Sequence, residues 1–192
     1  MTQSRVLAFA GSAREASFNK LLVRVAAQGA RDAGAEVTVL DLRDYPMPLF
    51  DQDLEAASGL PDAARAVKAA MMAADGLLIA SPEYNSSITP LLKNTLDWVS
   101  RREGDEPRLA AYQGKCAALM SASPGGLGGL RGLGHVRSIL QSIGVMVIPD
   151  QIAVPAAHGA FGDDGTPVDP KLHAKITDLG RQLATLAQRL KG

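Results

Sequence analysis

"RVLAFAGSAREASFN", Arg5–Asn19, is the stretch on which the fold turns. Its first six residues, Arg5–Ala10, read as an apolar strand without a polar face, the pattern of a strand buried on both sides of a parallel sheet. At Gly11 the chain enters a polar loop. Apolar residues then return at helical spacing in "FNKLLVRVAAQGARDAG", with Gly34 as a C-terminal stop. A strand that passes through a Gly-led polar loop into a helix is the layout of a phosphate cradle.

The same alternation continues outward. "EVTVLDL" reads as a second strand and "DYPMPLFDQDLEAASGL", rich in Pro and Asp, as a long loop. Pro61 opens a helix, "PDAARAVKAAMMAA", with Asp62 in the first turn, where the helix dipole favours an acid. "GLLIA" is a third strand, "PLLKNTLDWVSRR" a helix and "KCAALMSA" a fourth strand. "GLRGLGHVRSILQSIG" is a helix weakened by glycine, "VMVI" a fifth strand and "DPKLHAKITDLGRQLATLAQRLKG" a closing amphipathic helix. Five short strands separated by helices imply an α/β fold, a parallel sheet with helices on both faces. The chain has 192 residues and neither linker nor repeat, so a single domain over 1–192 is expected. Ligands of such sheets bind outside the C-terminal strand ends, where strand order reverses. The loops after strands one, three and four are therefore the place to look.

Composition narrows the partners. Lys plus Arg and Asp plus Glu number 20 each, for a formal net charge of zero. Such balance offers no footprint for nucleic acid or a membrane surface and argues against an acidic electron carrier that docks by charge. Cys116 is the only cysteine, which excludes an intrachain disulfide and suits a reducing cytoplasm. The apolar run near the N-terminus is too short for a signal peptide, and no apolar stretch approaches the roughly 20 residues of a membrane span.

The first loop fails two familiar patterns. A dinucleotide fingerprint needs glycine at its third and sixth positions, where Ala13 and Ala16 stand, and no Gly-Lys-Ser or Gly-Lys-Thr follows Gly11. What it offers is side-chain donors, Ser12, Arg14, Ser17 and Asn19, at a helix start. That set suits a terminal phosphate monoester, with close to two negative charges and three acceptor oxygens. A plainer reading stays open, in which Ser17 only caps the helix and Arg14 is solvated. The second loop, in "SPEYNSSITPLLKNTLDW" (81–98), uses ordinary turn formers, yet places Glu83, Tyr84 and Asn85 at the expected crevice. The third, "SASPGGLGGLRG" (121–132), has glycines that let backbone approach a planar ligand; alone it reads equally as a flexible loop.

Taken together, "GSAREASFN", "SPEYNSS..P.LKNTLDW", "SASPGGLGGLR" and "PLFDQD" resemble the NADPH-dependent FMN reductases, the flavodoxin-like group that includes bacterial quinone, azo-dye and chromate reductases. The resemblance runs from strand one to the helix after strand four, and "PEYN" followed by "LKN..DW" is its specific part. It implies a three-layer flavodoxin-like fold with strand order 2-1-3-4-5. It also implies a flavin mononucleotide (FMN) site. Ser12, Arg14, Ser17 and Asn19 would hold the phosphate, with Phe18 among the cofactor-binding residues. Pro82, Glu83, Tyr84, Asn85 and Ser86 would pass beside the ring, and Ser121, Ser123, Gly125 and Gly126 would line its pyrimidine end. NADPH or NADH would deliver hydride to flavin N5, and a small-molecule acceptor would follow at the same site, so no side-chain catalyst is assigned. Relatives are homodimers or homotetramers, and the same is expected here. One departure stands out: Thr89-Pro90 occupies a place where many relatives carry Pro-Gly.

Other candidates have plainer readings. His135, His158 and His173 lie far apart, and with one cysteine they form no metal-ligand set, so no metal is expected. Cys116 reads as a small buried residue and Trp98 as packing. Arg101, Arg102 and Arg131 would meet nicotinamide phosphates or pair across an interface; a solvated face serves the first two equally. Asp51 and Asp53 read as structural. Two other functions compete with the reductase: a flavodoxin-type electron carrier, against which stand the neutral charge and 4% aromatic content, and a Rossmann-type dehydrogenase, against which stand the missing glycines.

Overall fold

The computed structural model describes residues 3–191. Five strands, β1 (Arg5–Ala10), β2 (Glu36–Asp41), β3 (Gly76–Ala80), β6 (Cys116–Ala122) and β7 (Met146–Val154), form one sheet in the order β2-β1-β3-β6-β7, every pair parallel. Between β3 and β6 lies a separate antiparallel hairpin of two-residue strands, β4 (Glu83–Tyr84) and β5 (Ser87–Ile88). The helices are α1 (Phe18–Asp32), α2 (Gln52–Ser58), α3 (Asp62–Ala73), α4 (Pro90–Val99), α5 (Leu130–Ser142) and α6 (Pro170–Leu190). Counting the long strands alone, the order is the expected flavodoxin-like 2-1-3-4-5. The chain steps from β1 to one side for β2 and to the other for β3, so strand order reverses at β1. Ala10 pairs with Ala80, and Ala80 with Met120, so β1, β3 and β6 end nearly level and their loops emerge side by side.

Alternation along the strands splits the core in two. Ala8, Ala10, Leu78, Ala80, Ala118 and Met120 face α1 and α6. Leu7, Phe9, Leu77, Ile79 and Leu119 face α3, α4 and α5. On the first face the two helices meet at glycine. A Cβ at Gly29 would lie 2.0 Å from the Thr177 carbonyl oxygen, and one at Gly180 would lie 1.9 Å from that of Ala26. Only glycine lets these backbones approach so closely, and this contact fixes where α1, and hence its N-terminus, lies on the sheet.

Besides the β4–β5 hairpin, which the sequence offers only as a loop, three segments differ from the sequence expectation. The presumed loop 44–60 contains α2, capped by Asp51, whose carboxylate accepts from the Asp53 N–H at 2.8 Å, and stopped by Gly59 at φ 71°. No residue of α2 is buried, so it carries no apolar stripe for a periodicity argument to find. Helix α4 ends at Val99 rather than Arg102, with Ser100 as its cap. Strand β7 runs to Val154, well past "VMVI". Its register with β6 jumps from Ala117↔Val147 to Leu119↔Gln151, around Pro149, which has no N–H to give the ladder. Arg137 bridges the bulge, donating to the Ile148 carbonyl at 2.9 Å and to Gln151 Oε1 at 3.0 Å. Among the described residues no helix is long and apolar enough to cross a membrane.

Candidate functional site

The three loops meet. A cleft of about 240 Å³ opens over the C-terminal ends of β1, β3 and β6, lined by Ser12, Arg14, Ser17, Phe18 and Asn19 of the first loop, Pro82, Glu83 and Tyr84 of the second, and Ala122, Ser123 and Pro124 of the third.

The first wall is an anion site by construction. The Gly11 N–H bonds to the Ala80 carbonyl at 2.9 Å, extending the sheet by one link. A Cβ on Gly11 would stand 2.8 Å from that of Leu92, which accounts for glycine there. Ser17 occupies the N-cap of α1 with extended backbone, yet its hydroxyl caps nothing. Among the described residues the N–H groups of Phe18 and Asn19 find no carbonyl, and no acid occupies the first turn. Ser12 Oγ accepts from the Arg14 N–H at 3.3 Å. The Arg14 guanidinium lies over the Phe18 ring, 5.3 Å from its centroid, and no carboxylate pairs with it among the described residues; the adjacent Glu15 is paired with Arg43 at 3.3 Å. Unspent N–H donors, a free hydroxyl and an unneutralised guanidinium at one helix N-terminus match the demands of a phosphate monoester. The plainer reading of Ser17 as a simple cap does not describe this geometry.

Asn19 departs from the role expected of it. Its Nδ2 donates to the Ala122 carbonyl at 2.8 Å, and its Oδ1 accepts from the Ala122 N–H at 3.0 Å. The amide thus splices the start of α1 to the end of β6, as a spacer between two walls of the cleft. Beside it, Lys20 Nζ pairs with Asp41 Oδ2 at 2.6 Å.

The second wall is the β4–β5 hairpin. Asn85 (φ 50°) and Ser86 (φ 68°) form its two-residue turn, both left-handed, as a type I′ turn requires; Asn tolerates that region well. Their backbone is thus committed to the turn, beyond the lined wall. Glu83 pins the hairpin to α5. Its Oε1 accepts from Arg131 Nη2 at 2.6 Å and Nε at 2.9 Å, and its Oε2 accepts from the Gly132 N–H at 3.0 Å. Burial pushes this carboxyl up, but the Gly132 N–H and the Arg131 guanidinium outweigh it and hold the group below the usual carboxylate range. Arg131, expected at a nicotinamide phosphate or an interface, is thereby spent on Glu83. Ser87 Oγ lies 2.9 Å from His135 Nδ1, a second tie between hairpin and α5.

Thr89 was legible only as a departure from the family pattern. Its hydroxyl donates to the Gly11 carbonyl at 2.7 Å and accepts from the Leu92 N–H at 3.1 Å, so one side chain caps α4 and fastens the first loop to the second. Thr before Pro is an N-cap followed by a proline at the first helical residue, a signal open to sequence reading.

In the third loop the glycines divide into two jobs. Gly128 (φ 61°) and Gly129 (φ 87°) press inward. A Cβ on the first would lie 2.6 Å from the Val154 carbonyl carbon, and one on the second 1.9 Å from Ser121 Oγ. Gly126 faces open space, and Gly125, where a Cβ would meet only Ser123 Oγ at 3.6 Å, donates its N–H to that hydroxyl at 3.2 Å. Ser121 is fully buried behind this loop, and its Oγ has no partner. That orphaned hydroxyl lies beneath Gly129 and outside the residues that line the cleft, so a ligand reaches it only if the loop shifts. The unspent donors of α1 and the Arg14 guanidinium fit the phosphate of a planar cofactor.

The remaining candidates are structural. Trp98 is fully buried, donates its indole N–H to the Pro48 carbonyl at 2.8 Å and meets Phe50 edge-on at 5.0 Å. Arg101 pairs with Glu55 at 2.8 Å. Burial pushes the Cys116 thiol up to about 11, which makes it inert near neutral pH.

Comparison with known proteins bears on the family and the fold. Residues 4–159 match the family described as NADPH-dependent FMN reductase. The chain is 36% identical over 193 residues to a probable NADPH:quinone oxidoreductase of Oryza sativa, covering 98% of this chain and 91% of that protein. It is 32% identical over 189 residues to an NAD(P)H-dependent FMN reductase of Pseudomonas aeruginosa, covering 98% and 97%. Among solved structures, the flavoenzyme NAD(P)H:(acceptor) oxidoreductase FerB of Paracoccus denitrificans superimposes with a TM-score of 0.79 at 25% identity, covering 97% of this chain and 98% of that one.

Proposed function

The chain belongs to the NADPH-dependent FMN reductase family, and from that premise we propose that it is an FMN-dependent NAD(P)H oxidoreductase that passes two electrons to quinones or similar small acceptors. Azo dyes, chromate and free flavin fall in the same acceptor class. FMN, when bound, supplies the two-electron chemistry at its N5. The residues of this chain bind and orient.

Ser12, Arg14, Ser17 and the N–H groups of Phe18 and Asn19 hold the phosphate. The backbone of Pro82, Glu83 and Tyr84 borders the ring, held by the Asn85–Ser86 turn beyond it and by the bonds of Glu83 to α5. Ser121, Ser123, Gly125 and Gly126 take the pyrimidine end, where backbone N–H groups stabilise negative charge. Glu83 positions the hairpin through its bonds to Arg131 and to the Gly132 N–H. The α1 N-terminus carries this reading: its donors and the Arg14 charge are left unspent in the cleft that the other two loops complete.

We also propose a single FMN-binding domain acting in the cytoplasm as a homodimer or homotetramer. The lone buried Cys116 suits a reducing compartment, and exposed Tyr84, Leu127 and Leu130 on the loops that build the cleft offer apolar surface to a second copy. Light scattering on the purified chain reads the oligomer directly. The electron-carrier alternative is not favoured, because the relatives are named as reductases.

The test is an anaerobic absorbance spectrum of the purified protein supplied with FMN, before and after NADPH or NADH. Flavin bands that bleach on addition, and return with a quinone, are expected. A protein that takes up no FMN, or whose bound flavin neither nucleotide reduces, is not this enzyme.

A further inference from the structure

Residues 160–168 form a small closed turn that packs on the start of α1. The Val168 N–H bonds to the Ala160 carbonyl at 3.0 Å and the Gly162 N–H to that of Thr166 at 2.8 Å, around a bridge between Phe161 and Pro167. Asp164 pins the tip, accepting from the Thr166 N–H at 2.9 Å and from its hydroxyl at 3.0 Å; those two bonds hold its carboxyl below the usual range. Gly165, at φ 79°, sits where a Cβ would come 3.0 Å from Leu21 Cδ2. The turn is therefore internally braced and seated on α1.

Its one aromatic ring points to a use. Phe161 stacks on Phe18, centroids 6.3 Å apart and planes inclined by 12°. Phe18 in turn carries the Arg14 guanidinium over its ring. Arg14 is otherwise an exposed, unpaired side chain on a loop, free to sample many rotamers. A guanidinium is worth more to a phosphate when its orientation is already set. Phe161 lies two residues past the stretch 4–159 that matches the family.

We propose that Phe161 is a positioning residue for the cofactor phosphate, acting through the Phe18 ring to hold Arg14 across the mouth of the cleft. This inference rests on the FMN reading above and adds a distant residue to it. A ring fixed on one neighbour presents a steady face to the cation; an unsupported ring at a helix start turns and takes the guanidinium with it.

FMN and riboflavin separate this role from a merely structural one, since they differ only in the phosphate. Their dissociation constants are measured by flavin fluorescence on the full chain for the parent, Phe161→Ala, Phe161→Leu, Phe161→Tyr, Arg14→Ala and the double variant Arg14→Ala/Phe161→Ala. Phe161→Leu keeps apolar bulk in case alanine unsettles the turn. The Ala and Leu variants are expected to bind FMN roughly threefold to tenfold more weakly, with riboflavin unchanged. Phe161→Tyr is expected to keep the parent's preference, and alanine at 161 to cost nothing further once Arg14 is gone. A parent that takes up no FMN would sink the function itself. A parent that prefers FMN to riboflavin, with Ala and Leu variants that keep that preference or lose both ligands equally, overturns the role of Phe161 alone. So does an additive double variant.

Discussion

Asn19 and Ala122 hold each other through two reciprocal hydrogen bonds of 2.8 and 3.0 Å, side-chain amide to backbone, across 103 residues of sequence. Both ends are buried, so neither bond can be replaced by water without rearrangement. Asn19→Ala leaves the Ala122 N–H and carbonyl unmet, and a loss of about 2–4 kcal/mol is expected from two such groups. Urea denaturation measures it. FMN affinity is expected to fall as well, because the phosphate wall and the third loop lose their spacer. Full stability in Asn19→Ala would show that the pair is incidental.

Arg14 carries the formal charge opposite the phosphate. Arg14→Ala is expected to weaken FMN by about 1.5–3 kcal/mol, the scale of a hydrogen bond to a charged group. Thermal stability should barely move, since the side chain is exposed. Titration with FMN at two salt concentrations checks both parts; unchanged affinity in the variant would assign the phosphate to the Ser and backbone donors alone.

Glu83 gives the fold an acid dependence. Its carboxyl is held below the usual carboxylate range in the folded state. A group depressed in this way contributes stability in full above its unfolded value, and loses that contribution as pH falls through the folded value. Glu83→Gln is therefore expected to cost about 1–3 kcal/mol near neutral pH and to flatten the acid limb of the stability curve. Melting curves between neutral and acidic pH, parent against variant, decide it. Parallel curves would mean the carboxylate is not what pins the hairpin to α5.

Gly129 and Ser121 are in contact as tightly as glycine allows. A Cβ at 129 would meet Ser121 Oγ at 1.9 Å, with φ at 87°. Gly129→Ala combines overpacking with a strained backbone, and a loss of roughly 2–4 kcal/mol is expected. Ser121→Ala should be nearly neutral, within about 1 kcal/mol, because the hydroxyl it removes has no protein partner. If that hydroxyl meets the flavin, the same variant lowers FMN affinity with stability intact. Denaturation and FMN titration on both variants separate the two effects.

The sheet was the most legible part. "RVLAFA", "GLLIA" and "CAALMSA" are short apolar runs, and local pattern alone marks such strands. The three loops were legible too, because strands that end in glycine, proline and serine before a helix announce a crevice. Helix α2 was not, since it buries nothing, and the second half of β7 was not, since Pro149 breaks the pattern that Arg137 repairs from a distance. Among the site residues, sequence chemistry grouped Asn19 with the phosphate donors by residue type. It had no means of knowing that the amide was spent on Ala122. Glu83 and Arg131 looked like separate candidates and are one ion pair.

By itself, then, the sequence determined most of the elements, their parallel arrangement and the residue types offered at the strand ends, because periodicity and turn chemistry are local. The tertiary structure alone decided which donors remain free. Ser17 and the first N–H groups of α1 are unspent, whereas Asn19, Glu83 and Arg131 are satisfied by partners 48 to 103 residues away. The reason is that a polar group's availability depends on what has already desolvated and paired with it. That is settled by the packing of α1, the hairpin and α5 around the sheet, and it leaves no mark in the sequence around the group itself.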